Sequence, residues 1–311
     1  MISRFSPIQS HDPKDLSASD YDLLYLYLSK NPNELNIEFA IGGKALSVSG
    51  SEIDGICFIG FGDGVYVWGD CVIRNCCVDI IGDQQAIGFE PFVVLGNGIN
   101  IWVGDNSNKN NLIENNIISR CYDCGATIQG HPKKDGICAM NNIIQGNVIY
   151  NCCQGWESFM TKKYEEWDID YINCFFRNNI VFNIGQTSGF GYPLDRSKKC
   201  HVLGNERTGS KGMVIENNEF VGGNYYCSNS FKGEYKSNIW RNNICYIKPG
   251  DYLLSQFGEN ELIISGKRKT DKKTIKKYRD LTGDTSTTFH VVSELTLRKK
   301  IGTLLNKYTG E

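Results

Sequence analysis

An Asn-Asn dipeptide, or a close variant, recurs before a short apolar run. The copies are Asn115-Asn116-Ile117-Ile118, Gly146-Asn147-Val148-Ile149, Asn178-Asn179-Ile180-Val181, Asn217-Asn218-Glu219-Phe220 and Asn242-Asn243-Ile244-Cys245. Arg74-Asn75-Cys76-Cys77 and the weaker Asp54-Gly55-Ile56-Cys57 precede them, with Asn75 and Gly55 taken as the corner residues. Intervals of about 20 to 40 residues mark a solenoid built from one repeated unit with variable insertions. Each copy continues alike: a short strand, a Gly-containing turn, a second strand, a loop, and a third strand running back to the next Asn. Three strands per turn with Asn at one corner describe the coil of a parallel β-helix. Asn suits that corner because it tolerates positive φ and its amide can bond the Asn one coil away, about 4.8 Å along the axis. The 33 glycines and only seven prolines fit many short strands rather than long helices,.

These coils, together with Gly96-Asn97-Gly98-Ile99-Asn100-Ile101-Trp102, Cys121-Tyr122-Asp123-Cys124-Gly125-Ala126-Thr127-Ile128-Gln129 and Tyr278-Arg279-Asp280-Leu281-Thr282-Gly283, resemble the bacterial right-handed parallel β-helix proteins of the pectin-lyase-like superfamily. The resemblance covers roughly Leu23 to Phe289. It implies an all-β, right-handed, single-stranded parallel β-helix with an Asn ladder. It also implies a protein associated with polysaccharides, since the superfamily holds lyases, glycoside hydrolases, epimerases and phage tailspikes. It is specific for fold and weak for activity.

The organisation expected is a lead-in over residues 1–22, the β-helix over 23–266 and a helical or capping segment over 267–311. Asp22–Leu28 and Ile37–Ile41 read as first strands. Lys267–Arg279 carries eight cationic side chains against Asp271 alone. It reads as a short basic helix with Gly283 as its C-cap, and Glu294–Tyr308 as either a last amphipathic helix or a frayed tail. The formal charge of the whole chain is −2, so no nucleic-acid partner is expected. No apolar stretch reaches membrane-spanning length. Met1–Pro7 lacks an apolar signal region. That points to a cytoplasmic protein, or an extracytoplasmic one if the chain is truncated at Met1. No oligomeric state can be read. Thirteen cysteines without a signal segment are expected to be reduced thiols. Cys121 and Cys152 stand five residues after Asn116 and Asn147 and should stack as buried thiols. No cofactor and no metal are expected, although Cys121-Tyr122-Asp123-Cys124 has zinc-like spacing.

The second strands locate the working face. Val65, Ile99, Ala126 and Trp156, then Val67, Ile101, Ile128 and Ser158, point inward by alternation. Tyr66, Asn100, Thr127 and Glu157, then Trp68, Trp102, Gln129 and Phe159, point outward. Aromatic rings for sugar C–H faces beside amides and a carboxylate for hydroxyls make a saccharide groove. The other reading is that loops fold back and make this face a side core. The loops after these strands, from Gly130 to Asp135, Thr161 to Asp168 and Leu194 to Arg207, wall one edge. Glu157 is the leading acid/base candidate, with Asp195 as the carboxylate within reach. Lys133, Arg196 and His201 supply the groups a lyase needs, and His131 lines the cleft. A carbohydrate-active enzyme, hydrolase or lyase, is the leading expectation; a non-catalytic glycan-binding or assembly protein is the rival.

Overall fold

In the computed structural model, the chain divides into two units, Met1–Phe39 and Ala40–Glu311. The structure describes residues 41–82, 84–85, 94–161, 164, 166–185, 200–204, 210–223, 225–229, 238–256 and 259–309. They are predominantly β, with parallel strands in long, solenoid-like sheets and two helices at the C-terminal end.

The chain visits three faces in rotation. The first holds the strands Glu52–Asp54, Val72–Arg74, Leu112–Glu114, Ile143–Gln145, Cys174–Arg177, Met213–Glu216 and Ile239–Arg241, all parallel. The second runs from Cys77–Ile81 through Ile117–Cys121, Val148–Tyr150, Ile180–Phe182 and Glu219–Val221 to Ile244–Ile247. The third stacks Ile99–Val103, Cys124–Gly130, Gln154–Met160, Cys200–Gly204, Tyr225–Asn229 and Tyr252–Gln256. The long strand Cys57–Val67 joins the last two faces, pairing with Cys77–Ile81 by its first half and Ile99–Val103 by its second. A short fourth sheet, Asn108–Lys109, Ala139–Met140 and Tyr171–Ile172, adds to the three strands per turn that the repeat implies.

Alternation sets the core. Val65, Val67, Ile99, Ile101, Ala126, Ile128 and Trp156 are buried and meet Ile73, Ile113, Ile118 and Phe176. Each such large apolar side chain stabilises the fold by about 1.5–3 kcal/mol.

The Asn-Asn dipeptide divides its labour. The first residue takes positive φ, as Asn115, Asn178, Asn217 and Asn242 do at 54–56°, with Gly146 at 66°. The second is buried and stacks. Asn116 Nδ2 donates to Asn147 Oδ1 at 2.9 Å, Asn147 to Asn179, Asn179 to Asn218 and Asn218 to Asn243, each at 3.0 Å. Each amide also donates to a backbone carbonyl and accepts the backbone N–H of its lower neighbour, so every buried polar atom of the stack is used. In the early copies the sequence reading is one residue out of register. Asn75 takes the positive φ, and Cys76 sits in the buried column, its N–H donating to Asn116 Oδ1 at 2.9 Å.

The C-terminal segment closes the column. Thr287 Oγ1 accepts the Asn243 N–H, and Asp284 accepts the Thr287 N–H and the Tyr278 hydroxyl. Helix α1, Arg268–Thr282, ends at Gly283 with φ 75°, as the sequence implies. Strand Thr288–Val291 then rejoins the second face beside Ile244–Ile247, so the segment is not wholly helical. Helix α2, Glu294–Thr309, lays Leu297 and Leu304 over Val148, Tyr150, Phe182 and Val221.

Candidate functional site

The outward residues of the third face form two rows, because parallel register places equivalent positions side by side. Tyr66, Asn100, Thr127 and Glu157 are consecutive partners across four strands. The parallel row is Trp102, Gln129 and Phe159, with Trp68 just past the end of its strand.

The second row is an aromatic strip. Tyr66 lies 6.4 Å from Trp68 and 6.2 Å from Trp102, centroid to centroid. His131 stands edge-on between Trp102 at 5.7 Å and Phe159 at 5.5 Å. Trp68 keeps 42% of its surface, and its indole N–H is anchored on Ser47 Oγ at 2.7 Å. The Lys44 ammonium sits 3.8 Å from the Tyr66 centroid, a cation–π contact that closes this end. Gly104 gives the indoles room: a Cβ there would lie 3.2 Å from Trp102 Nε1 and 3.9 Å from Trp68. His131 Nδ1 is 2.7 Å from Thr161 Oγ1, which orients the imidazole. The strip expected from alternation is therefore present, and Trp102, Gln129 and Phe159 are half-buried.

The first row differs from the expectation of an open polar surface. Tyr66, Asn100 and Thr127 are buried, and Glu157 keeps 7% of its surface. The turn before each strand supplies further polar groups. Asp63 Oδ1 accepts the N–H of Asn97 at 3.1 Å and of Gly64 at 3.2 Å. Gln154 Nε2 donates to Asp123 Oδ1 at 3.1 Å. The thiol of Cys124 and the hydroxyl of Thr127 approach Glu157 Oε2 at 3.7 and 3.5 Å. The result is a buried polar seam four strands wide.

Two features make the seam chemically unusual. Asp63 Oδ2, both amide atoms of Asn100 and Gln154 Oε1 are buried with no aligned hydrogen-bond partner within the protein. The Tyr66 hydroxyl interacts with both Asp63 and Asn100. Buried polar atoms left this way demand a water or a ligand group. Second, burial and then the neighbouring Asp123 carboxylate push the Glu157 carboxyl up to about 8, against smaller opposing effects of Cys124 and Thr127. Burial thus favours the protonated form of Glu157,. Burial likewise raises Asp63.

Asp123 is the residue that sequence reasoning missed. It stands in a turn, and its approach to Glu157 becomes visible only when two levels of the solenoid are stacked. Asp123, Cys124 and Glu157 each bring one potential ligand atom within 4.8 Å of the others. Of the other candidates, Lys133 is an exposed partner of Asp105 at 3.1 Å, a pair of small energetic weight. His201 lies in strand Cys200–Gly204 beside Gln154–Met160, not in the loop that the sequence reading gave it. Asp195 and Arg196 lie outside the described residues.

Every cysteine whose side chain is described is a free thiol. Cys121 and Cys152 contact each other in the core, where burial raises the Cys121 thiol well above its ordinary value. Thiol titration of denatured, unreduced protein should approach all 13 cysteines, and the melting temperature should ignore dithiothreitol and chelator. A count short by several pairs, or a melting point lowered by either reagent, would contradict this. No protein family, curated protein or solved structure matches the chain.

Proposed function

We propose that this chain is a right-handed parallel β-helix of the pectin-lyase-like kind, its carboxamide stack an Asn ladder. We further propose that it binds a polysaccharide along the third face and cleaves it as a glycoside hydrolase or lyase. The observation that carries this reading is the adjacency of the aromatic strip to the seam. Trp68, Trp102, His131 and Phe159, backed by the buried Tyr66, give a sugar chain stacking surfaces,. Beneath them lie buried amide and carboxyl atoms of Asp63, Asn100 and Gln154 without an aligned partner in the protein, and the Glu157 carboxyl, whose protonated form burial favours.

In this mechanism Glu157 donates a proton to the glycosidic oxygen. Asp195, the candidate from the sequence, lies outside the described residues; Asp123 serves as the second carboxylate. Its separation from Glu157, within 4.8 Å, is nearer the roughly 5–5.5 Å of retaining glycosidases than the wider spacing of inverting ones. A proton abstraction beside a uronate would instead draw on Lys133, Arg196 and His201, the residue types that reaction needs.

The near-complete burial of Glu157, Asn100 and Thr127 favours a second reading, in which the strip binds glycan and no bond is cut. Trp102→Ala separates the strip from the seam. It should weaken glycan affinity by about 1–3 kcal/mol, the scale of one large side chain, while the melting curve stays near wild type. Unchanged affinity with a large drop in melting temperature would make Trp102 a core residue and remove the groove.

A further inference from the structure

We propose that α1 and the cleft beside it form a docking surface for acidic polysaccharide, an anionic stretch of the polymer assigned above to the third face. The inference rests on that reading for the occupant but on separate residues for the contact.

Lys272, Lys276 and Arg279 lie at i, i+4 and i+7, one face of α1. With Ile275, Thr288 and Phe289 they line a cleft of about 500 Å³. Lys267, Arg268, Lys269, Lys273 and Lys277 extend the charge along the helix. The acids that might cancel it are engaged. Asp271 is buried, accepting the backbone N–H and hydroxyl of Ser265 at 2.8 and 2.9 Å. Asp280 pairs with Lys276 at 2.9 Å where both are exposed, so that pair is readily exchanged for another anion. In a chain whose total charge is −2, this is a local field, strongest within about 8 Å at physiological salt.

Position and chemistry favour a polysaccharide. Helix α1 packs against strands Tyr252–Gln256 and Glu259–Ile263, which end the same sheet that carries the aromatic strip. From Gln154–Met160 to Tyr252–Gln256, against which α1 packs, is three strand spacings, about 14 Å; the cleft itself opens on the other side of α1, beside Thr288–Val291 of the second face. A membrane surface calls for protruding apolar anchors, and none of the exposed large apolar side chains among the described residues belongs to α1. Nucleic acid gains from open stacking platforms, whereas Phe289 is held edge-on by Tyr226 at 5.4 Å and Tyr278 at 5.2 Å.

The test uses the full chain with dextran sulfate and dextran, which share a backbone and differ in charge, alongside duplex DNA and phosphatidylserine vesicles. Dextran sulfate should bind, lose affinity about tenfold or more between 50 and 300 mM salt, and exceed dextran, DNA and vesicles. Lys272 and Lys276 are exposed, so K272E/K276E should fold normally and lose about tenfold or more of that affinity. Binding unchanged in K272E/K276E would overturn the docking surface. DNA or vesicles bound as tightly as dextran sulfate would overturn its occupant. Trp102→Ala tests the strip alone: if it leaves every neutral glycan unaffected, the strip reading fails while a helix-dependent polyanion site still stands.

Discussion

Glu157→Gln should lower glycan-cleaving activity by about 10² or more while leaving binding along the aromatic strip intact. The substitution keeps the volume and the contacts to Cys124 and Thr127 but removes the transferable proton. The pH profile follows from the same group. With its carboxyl raised to about 8, Glu157 stays protonated through neutrality, and activity should fall as pH rises past about 8. Stability carries the same sign. The unfolded carboxyl ionises near its ordinary value and the folded one only near 8. The stability associated with this group is therefore fully present at acid pH, declines as pH rises between those values, and is lost above 8. Glu157→Gln should flatten that decline. A Gln variant that remains active would leave Lys133, Arg196 and His201 as the better catalytic candidates.

Asn179→Ala should be among the most destabilising single substitutions in the chain. Asn179 makes four side-chain hydrogen bonds: it accepts from the backbone N–H and Nδ2 of Asn147, and donates to Asn218 Oδ1 and the Ile144 carbonyl. Alanine leaves those partners buried and unsatisfied, and the stack loses continuity. The expected cost is about 3 kcal/mol or more, or roughly 6–12 °C in melting temperature for a domain of this size. Asn178→Ala, one residue earlier, changes only a positive-φ corner at 56° and should cost about 1 kcal/mol. Thermal melts of the pair check this. Equal effects would mean that the buried amides do not carry the column.

The stacked corners were legible because each is written locally as two adjacent residues with separable physics, one tolerating positive φ and one offering an amide. Where Cys76 replaces the second Asn, the amide signal vanishes and the register slips by one. A second column was equally legible and overlooked. Asn110-Asn111 and Asn141-Asn142 repeat the same dipeptide five residues before Asn115-Asn116 and Gly146-Asn147. Asn111 Nδ2 donates to Asn142 Oδ1 at 2.7 Å, and the exposed Asn141 bonds Asn110 at 3.0 Å. The aromatic strip followed from period-two alternation. The burial of Asn100, Thr127 and Glu157 did not, because exposure depends on segments distant in sequence. Asp123 escaped for a related reason: its distance from Glu157 is set by stacking, not by spacing. His201 was misplaced because a short strand with Gly204 at its end reads as turn-rich loop.

A polysaccharide panel incubated with wild type and Glu157→Gln, scored for binding and for new reducing or unsaturated ends, tests the central claim most directly. The account predicts at least one polymer bound by both proteins and cleaved by wild type alone. A polymer bound by both and cleaved by neither would reduce the protein to a glycan-binding solenoid. No binding to any polymer would contradict the groove itself.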